Sequence, residues 1–386
     1  MTRFAALLAF FLVCLSGPIV LSAQTLNLQG QLSGWFIVND QEPSTPVFSV
    51  RYLPSLMVER TFGKDRLLDG ELSVNAYATA EAADWDRLSG TSRLKPYRAW
   101  ARVKTSRFET RIGLQKINFG SATLLRPLMW FDSVDPRDPL QITEGVYGVL
   151  PRFYLPKEIT VWAWGLYGSS RPKGWEANAT REGTPELGGR VQVPLFKGAL
   201  AFTTHHRRAD LSTGTSTIDD LEDPVAPEGR YAVDGKWDVG IGLWFEGVWT
   251  HQRHPALSSP DQKALNVGAD YTFGVGNGLY VLAEYFRLDQ SEGFFGPGQA
   301  ATIGAALVRY PLGLLDSLSG IIYIDAAREE TYRFVSWQRS YDHWQFFVMA
   351  FWNPVRAAIP QDQQRTRIGQ NPLIGRGVQL MAVFNH

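Results

Sequence analysis

The sequence predicts an all-β fold, a transmembrane antiparallel β-barrel of about 18 strands, with 16 strands as the alternative. Three observations lead to this fold class. Apolar and polar side chains alternate with a period of two, no apolar run of helical-span length follows the N-terminal segment, and short and long connections alternate. A strand crosses a bilayer with about 9–11 residues of alternating polarity, whereas a helix needs about 20 apolar residues.

Residues 1–23 have the order of elements that is typical of a cleaved secretory signal peptide. Arg3 precedes an apolar run, Pro18 interrupts it, and the small residues Ser22 and Ala23 stand before Gln24. An uncleaved membrane anchor is the alternative, because the apolar stretch is nearly long enough to span a bilayer. The prediction is a single barrel formed by residues 24–386, since no linker or repeat of fixed period divides the chain.

The first predicted strand follows this segment. In the stretch "LNLQGQLSGWFIVND", residues 26–40, one parity carries leucines, glycines, a phenylalanine and a valine, and the other carries mainly asparagine, glutamine and serine. This pattern indicates a strand with one apolar and one polar face. The same period returns in many later segments. A soluble β-sandwich remains an alternative, although its strands are generally shorter.

The connections between these segments alternate between short and long. Short links occur at 61–65, 105–107, 194–198, 238–241, 274–277, 311–316 and 341–343, and long ones at 81–94, 117–145, 169–185, 209–229, 255–262, 289–299 and 354–375. The alternation holds throughout if residues 146–154 form a strand that is followed by a short turn. That strand contains Pro151, which sheets tolerate mainly at edges and bulges. The count is then 18 strands, with both termini on the periplasmic side.

Composition and motifs indicate neither an enzyme nor a cofactor-dependent protein. The 38 basic and 38 acidic side chains balance, so nothing indicates nucleic-acid binding. The histidines at positions 205, 206, 251 and 254 lack a third ligand at metal-binding spacing. No cofactor, metal or catalytic residue is predicted.

The segment "RIGLQKINFG" at 111–120, followed by "LMWFDSVDPRDPLQITEGVYGVLPRFYLP" and "VWAWGLYG", resembles porin-like outer-membrane proteins of the alginate-export and phosphate-selective porin type. The resemblance covers about residues 97–210. It implies a water-filled barrel whose long loop, residues 117–145, folds into the lumen and narrows it. The expected function is a channel for small hydrophilic solutes. A substrate-specific transporter or exporter of saccharide or polymer, and a secreted carbohydrate-binding β-protein, remain alternatives.

The resemblance and the strand parity together select the residues expected at the constriction. The resemblance places Arg111 and Gln115 on the wall, and Asp132, Asp135, Arg137 and Asp138 on the loop. The parity adds Arg98, Arg102, Glu246, Asp270 and Glu284, and Glu144 joins the loop carboxylates. We expect the loop carboxylates to face Arg98, Arg102 and Arg111 across a narrow passage, where charge and diameter discriminate among solutes. Ordinary salt bridges that pin the loop are an equally weighted alternative.

The expected partners follow from this fold. They are the lipid bilayer of the outer membrane, small hydrophilic solutes and the barrel assembly machinery. Further copies of the chain in a homo-oligomer are an additional expected partner, with a monomer as the alternative. The last predicted strand, "GVQLMAVFNH", resembles the closing strand of outer-membrane barrels, which often ends on an aromatic residue. Here Asn385 and His386 follow Phe384, so this strand does not end on the aromatic residue.

Overall fold

A computed structural model describes residues 24–40, 46–63, 65–84, 87–213, 222–354 and 373–386. These residues form one 18-stranded antiparallel sheet, and β1 pairs with both β2 and β18, so the sheet closes into a barrel. The prediction of an antiparallel barrel with 18 strands is confirmed. The expected signal peptide, residues 1–23, lies outside the described residues.

The strands follow one another around the barrel in chain order. Their bounds are β1 Gln24–Asn39, β2 Val47–Phe62, β3 Arg66–Asp84, β4 Arg87–Lys104, β5 Phe108–Gln115, β6 Val146–Tyr154, β7 Thr160–Tyr167, β8 Pro185–Leu195, β9 Gly198–Asp210, β10 Val225–Asp238, β11 Gly242–Gln252, β12 Asp261–Phe273, β13 Leu279–Ser291, β14 Gly298–Pro311, β15 Asp316–Asp325, β16 Glu330–Ser340, β17 Trp344–Asn353 and β18 Gly375–Asn385. One short 3-10 helix, Pro156–Glu158, lies between β6 and β7. In the described part of the chain, no helix is long and apolar enough to cross a membrane.

The two ends of the barrel differ in the length of their connections. At the short-turn end, the links between consecutive strands contain two to five residues. At the opposite, long-loop end, the longest connection is residues 116–145. The predicted long link at 81–94 is wrong, because β3 continues to Asp84 and β4 begins at Arg87. The two strands keep pairing as far as Asp84 and Arg87, so they form an extended hairpin there.

The predicted strand at residues 146–154 is confirmed with the same bounds as β6. Its Pro151 pairs with Thr110 of β5, but the ladder to β7 is interrupted between Val149 and Arg152. Proline has no backbone N–H to donate, so this gap is the expected cost of placing it inside a sheet.

The outward face of the barrel is apolar. On β12, Val267 and Phe273 expose 47% and 45% of their surface, whereas Asn266 of the opposite parity is fully buried. Tyr271 and Trp344, which lie near the short-turn end, are also exposed. Because side chains alternate across a strand, an apolar outer face leaves the other parity directed into the lumen.

The connection between β5 and β6, residues 116–145, lies inside the lumen and is called the lumen loop below. Strands β5, β6 and β7 contain only 8 or 9 residues, whereas β1–β4 contain 16 to 19. The loop therefore leaves the wall well below the long-loop rim. Its Ile117 and Leu125 are buried in one apolar cluster with the wall residues Trp244 and Phe286.

Candidate functional site

The first half of the lumen loop is held by two wall carboxylates. Glu246 of β11 accepts hydrogen bonds from the backbone N–H groups of Ser121, Ala122 and Leu128 at 2.5, 2.8 and 3.2 Å. Glu284 of β13 accepts three more, from residues 123, 124 and 125, at 2.6, 3.1 and 2.7 Å. These contacts give six backbone N–H groups of the loop an acceptor, and a buried N–H group without one would be costly.

A glycine allows this close approach. Gly120 has φ +90°, a conformation that favours glycine. A Cβ atom at this position would lie 2.4 Å from Glu246 Oε1 and 3.1 Å from the Cβ of Leu128. The carboxylate can therefore reach the loop backbone only because residue 120 has no side chain.

An aromatic cluster fixes the middle of the loop against β7. Phe119 stacks on Trp164 with ring centroids 5.7 Å apart, and it meets Trp130 and Phe131 edge to face, each at 5.8 Å. Trp164 in turn donates Nε1–H to Nδ1 of the buried His205 at 3.1 Å. This packing gives the loop a hydrophobic core of its own inside the barrel.

The tip of the loop lies against β16 and does not face the predicted arginines. The Arg137 side chain donates to both carboxylate oxygens of Asp135, at 2.8 and 2.9 Å, and its guanidinium lies 5.3 Å from the ring centroid of Phe334. Asp138 accepts the backbone N–H of Leu140 at 3.0 Å. Asp135 and Asp138 are thus held by a nearer arginine and by a nearby backbone N–H group, and the expectation that the loop carboxylates face Arg98, Arg102 and Arg111 across a narrow passage stays a prediction.

The second half of the loop returns along β4. Arg98 donates Nη2–H to the backbone oxygen of Thr143 at 3.1 Å, and Lys95 forms a 3.0 Å salt bridge with Glu144. Burial alone would raise the pKa of Glu144, but Lys95 and Arg171 hold it below its ordinary value. Gln115, at the root of the loop, donates to the backbone oxygens of Arg111 and Gly148. These residues act as anchors in the structure.

Asp132 lies in a less favourable environment. Its side chain is buried, and its carboxylate is 3.9 Å from Arg126 Nη1, which is too long for a hydrogen bond. Both carboxylate oxygens lack a hydrogen-bond partner among the described residues. Burial raises the pKa of this carboxyl group, although the cations of Arg126, Lys116 and Lys173 oppose the shift.

The wall of β3–β6 carries a cluster of arginines near the short-turn end. Arg102 forms a two-pronged salt bridge with Asp69 at 2.8 and 2.5 Å. Arg102, Arg111 and Arg152 all lie within 3.5–3.9 Å of the single carboxylate of Glu109. Three arginines thus share two acids, and their side chains remain about a fifth exposed.

Aromatic rings support these arginines. The guanidinium of Arg111 lies 4.4 Å from the Trp100 ring centroid, and that of Arg152 lies 3.9 Å from Trp162. Neither Arg152 nor Glu109 was among the residues predicted from the sequence. The alternation along β6 could have identified Arg152, because Arg152 lies on the lumen-facing parity together with Tyr154. In the structure, Tyr154 donates a hydrogen bond to Glu109.

The remaining predicted wall residues have structural contacts. Asp270 accepts a hydrogen bond from Tyr280 Oη at 3.0 Å. Glu246 and Glu284, which were expected to line an open lumen, are buried beneath the loop. A loop that crosses the lumen brings its backbone donors against the wall, and carboxylates on that wall satisfy them. Within the described ranges, no group of three or more His, Cys, Asp or Glu side chains could hold a metal ion.

The chain matches no protein-family model and no curated protein. Among solved structures, it is similar to OccAB4 of Acinetobacter baumannii, with a TM-score of 0.55, 9% identity, and coverage of 94% of this chain and 98% of that chain. OccK7 (OpdD) of Pseudomonas aeruginosa gives a TM-score of 0.52 at 11% identity, covering 94% and 98%. OmpT, an outer membrane protein of Vibrio cholerae, gives 0.50 at 13% identity, covering 96% and 100%. At these identities the similarity establishes the fold.

Proposed function

We propose that this protein is an outer-membrane porin through which small hydrophilic solutes diffuse. The observation that carries the proposal is the position of the lumen loop, which packs against β7, β11, β13 and β16 and leaves the arginines at the short-turn end of β4–β6 about a fifth exposed. A loop held in this way narrows the aqueous path to a defined channel, and pore diameter and charge then determine which solutes pass.

The contacts of the loop define the side that it occupies. It is anchored on β11 and β13 through Glu246 and Glu284, and its tip meets Phe334 of β16. The loop also contacts Arg98 and Lys95 of β4, so we place the passage beside β2 and β3 and along the short-turn halves of β4–β6. On that wall, Glu71 accepts hydrogen bonds from Ser55 and Trp100 at 3.0 and 3.1 Å.

The charge of this wall supports a preference for small anions. Arg102 is held firmly by Asp69, whereas Arg111 and Arg152 lie 3.9 and 3.5 Å from the Glu109 carboxylate, which is long for a hydrogen bond. Partly hydrated guanidinium groups can exchange such weak partners for a carboxylate or phosphate that passes through. A substrate-preferring transporter of small anions is therefore the second candidate function.

Two features support placement in the outer membrane. The outward side chains are apolar along the strands, which would be unfavourable for a secreted protein surrounded by water. The structurally similar OmpT of Vibrio cholerae is described as an outer membrane protein. Export by a cleaved signal peptide, use of the barrel assembly machinery and formation of a homo-oligomer remain predictions.

Measurements of location and of conduction test this proposal. After fractionation, the protein is expected in the outer membrane, beginning near Gln24, and to migrate differently in SDS gels before and after boiling. The purified, heat-modifiable protein is expected to give discrete conductance steps in planar bilayers and to admit small sugars into liposomes. Recovery of folded protein in the soluble fraction, or folded protein that conducts nothing, contradicts the proposal.

A further inference from the structure

A cavity of about 350 Å³ lies at the long-loop end of the barrel, on a different part of the wall from the proposed passage. It is lined by the lumen loop, by strands β9–β13, and by the connections 168–184 and 253–260. This volume falls in the range of pockets that hold small organic ligands, about 300–1,000 Å³. None of the functional interpretations above uses this cavity.

Two tryptophans give the cavity an aromatic lining. Trp175 stacks on Phe286 with ring centroids 4.3 Å apart and donates Nε1–H to the backbone oxygen of Arg126 at 3.0 Å. Phe286 is fully buried and does not line the cavity, so it fixes the ring of Trp175 from the far side. Trp130 of the lumen loop contributes a second indole. A fixed aromatic ring offers a flat apolar surface for the C–H groups of a ligand.

The polar groups of the cavity are mainly amides and hydroxyls. The lining includes the side chains of Thr250, Gln262 and Gln290, and that of Gln252, whose amide nitrogen donates to Glu228 at 2.6 Å. Amides and hydroxyls can both donate and accept hydrogen bonds. Such groups match the hydroxyls of a sugar, each of which also donates and accepts.

The four buried charged side chains that line the cavity neutralise one another. Arg207 and Arg230 contact Glu228 at 2.6 Å each, and they contact Glu176 at 3.2 and 2.7 Å. Two arginines are thereby matched by two glutamates. Lys173, which also lines the cavity, interacts electrostatically with the same Glu176. An internally compensated charge network does not favour a strongly charged ligand, since each charge already has its partner.

We propose that this cavity binds a neutral saccharide of one or two sugar units. The aromatic rings would cover the apolar face of the sugar, and the glutamine and threonine side chains would bond its hydroxyls. The inference goes beyond the proposed porin function, because the cavity lies apart from the passage and binding requires no conduction.

Isothermal titration of the detergent-solubilised, full-length protein with glucose, maltose and lactose tests the proposal. We expect saturable binding of at least one of these sugars with a Kd of about 1 mM. Trp175→Ala should weaken binding about tenfold, because the anchoring aromatic surface is lost. Ala256→Trp should abolish binding, since the exposed loop position can fill the cavity without altering a strand. Trp237→Ala, at the short-turn end, is the matched control and should bind as the wild type does.

Two results would overturn the proposal. One is the absence of saturable binding to the folded wild-type protein by all three sugars. The other is unchanged binding in the Ala256→Trp variant, which would place the sugar elsewhere even if Trp175→Ala did not fold. Protein that binds maltose but forms no channel still supports the cavity site and contradicts the porin function alone.

Discussion

Glu246 on β11 accepts a 2.8 Å hydrogen bond from the backbone N–H of Ala122, a residue 124 positions earlier in the chain. The bond joins the barrel wall to the lumen loop, and Glu284 repeats the arrangement two strands away. An intramolecular hydrogen bond contributes about 0.5–1.5 kcal/mol net, and a buried donor left without an acceptor costs about 1–3 kcal/mol. The position of the loop thus depends on two wall carboxylates, and this dependence can be tested directly.

We expect the double variant Glu246→Ala/Glu284→Ala to release the first half of the loop. Six backbone N–H groups would lose their acceptors, so the loop should move toward water and single-channel conductance should rise and become noisier. Planar-bilayer recording measures the effect. Asp270→Asn is the control, because Asp270 contacts Tyr280 and does not hold the loop. Equal conductance in the double variant and the wild type would mean that other contacts suffice.

Gly120→Ala should destabilise the same region by about 1–3 kcal/mol, through the strain of a positive φ and through a Cβ placed 2.4 Å from Glu246 Oε1. Gly183→Ala is a matched control, since Gly183 also has positive φ, at +78°, but no atom lies within 4 Å of its added Cβ. Urea unfolding and protease sensitivity of the two variants separate the contact from the backbone strain. A similar loss in both would show that the approach of Glu246 contributes little.

Much of the barrel could be predicted from the sequence, because each strand shows the two-residue alternation of apolar and polar side chains within its own residues. The strand that contains Pro151 was predicted with its observed bounds. The link at 81–94 was mispredicted as a long loop, because continued strand pairing extends the β3–β4 hairpin to Asp84 and Arg87. The pattern of apolar and polar residues along one strand does not indicate at which residue its pairing with the next strand ends.

The face of the barrel on which each site residue lies could be predicted from the sequence, but the contacts of these residues could not. The alternation indicated that Glu246 and Glu284 face the lumen, but nothing local indicates that a loop more than a hundred residues earlier will supply their donors. Similarly, Asp135 could be assigned to the loop, yet its pairing with Arg137 depends on how the tip folds against Phe334. Those partners are set by tertiary packing.

The outward face of β12 provides a test of membrane insertion. Val267→Arg should cost about 2–4 kcal/mol if residue 267 lies near the bilayer midplane, and less near an interface. Asp270→Asn on the same strand should fold normally, because an asparagine can still accept the hydrogen bond from Tyr280. Folding yields into lipid vesicles measure both. An equal loss in the two variants would place the strand one residue out of register.

Asp132 should make stability depend on pH. Its pKa is raised by burial in the folded protein, so the folded state binds more protons than the unfolded state between the ordinary value of 3.8 and the raised one. Stability therefore rises as pH falls through the raised pKa, and it declines again only when other groups titrate. Asp132→Asn should remove this dependence while remaining folded at pH 7. Unfolding temperatures of both proteins between about pH 4 and pH 7 measure the difference, and parallel curves would contradict the assignment.

Ion selectivity should depend on the arginines of the wall and not on the aspartates of the loop. Arg111→Gln/Arg152→Gln removes two cations that border the proposed passage, so anion preference should fall by about twofold to fivefold, as expected for charges acting through water. The triple variant at Asp132, Asp135 and Asp138, each changed to Asn, should alter selectivity little, because these carboxylates are covered or satisfied within the loop. Reversal potentials in a salt gradient compare the two, and Arg287→Gln, on an exposed pair with Asp289, is the control. If the reversal potential changes more in the triple variant than in the arginine variant, the loop aspartates and not the wall arginines determine ion selectivity.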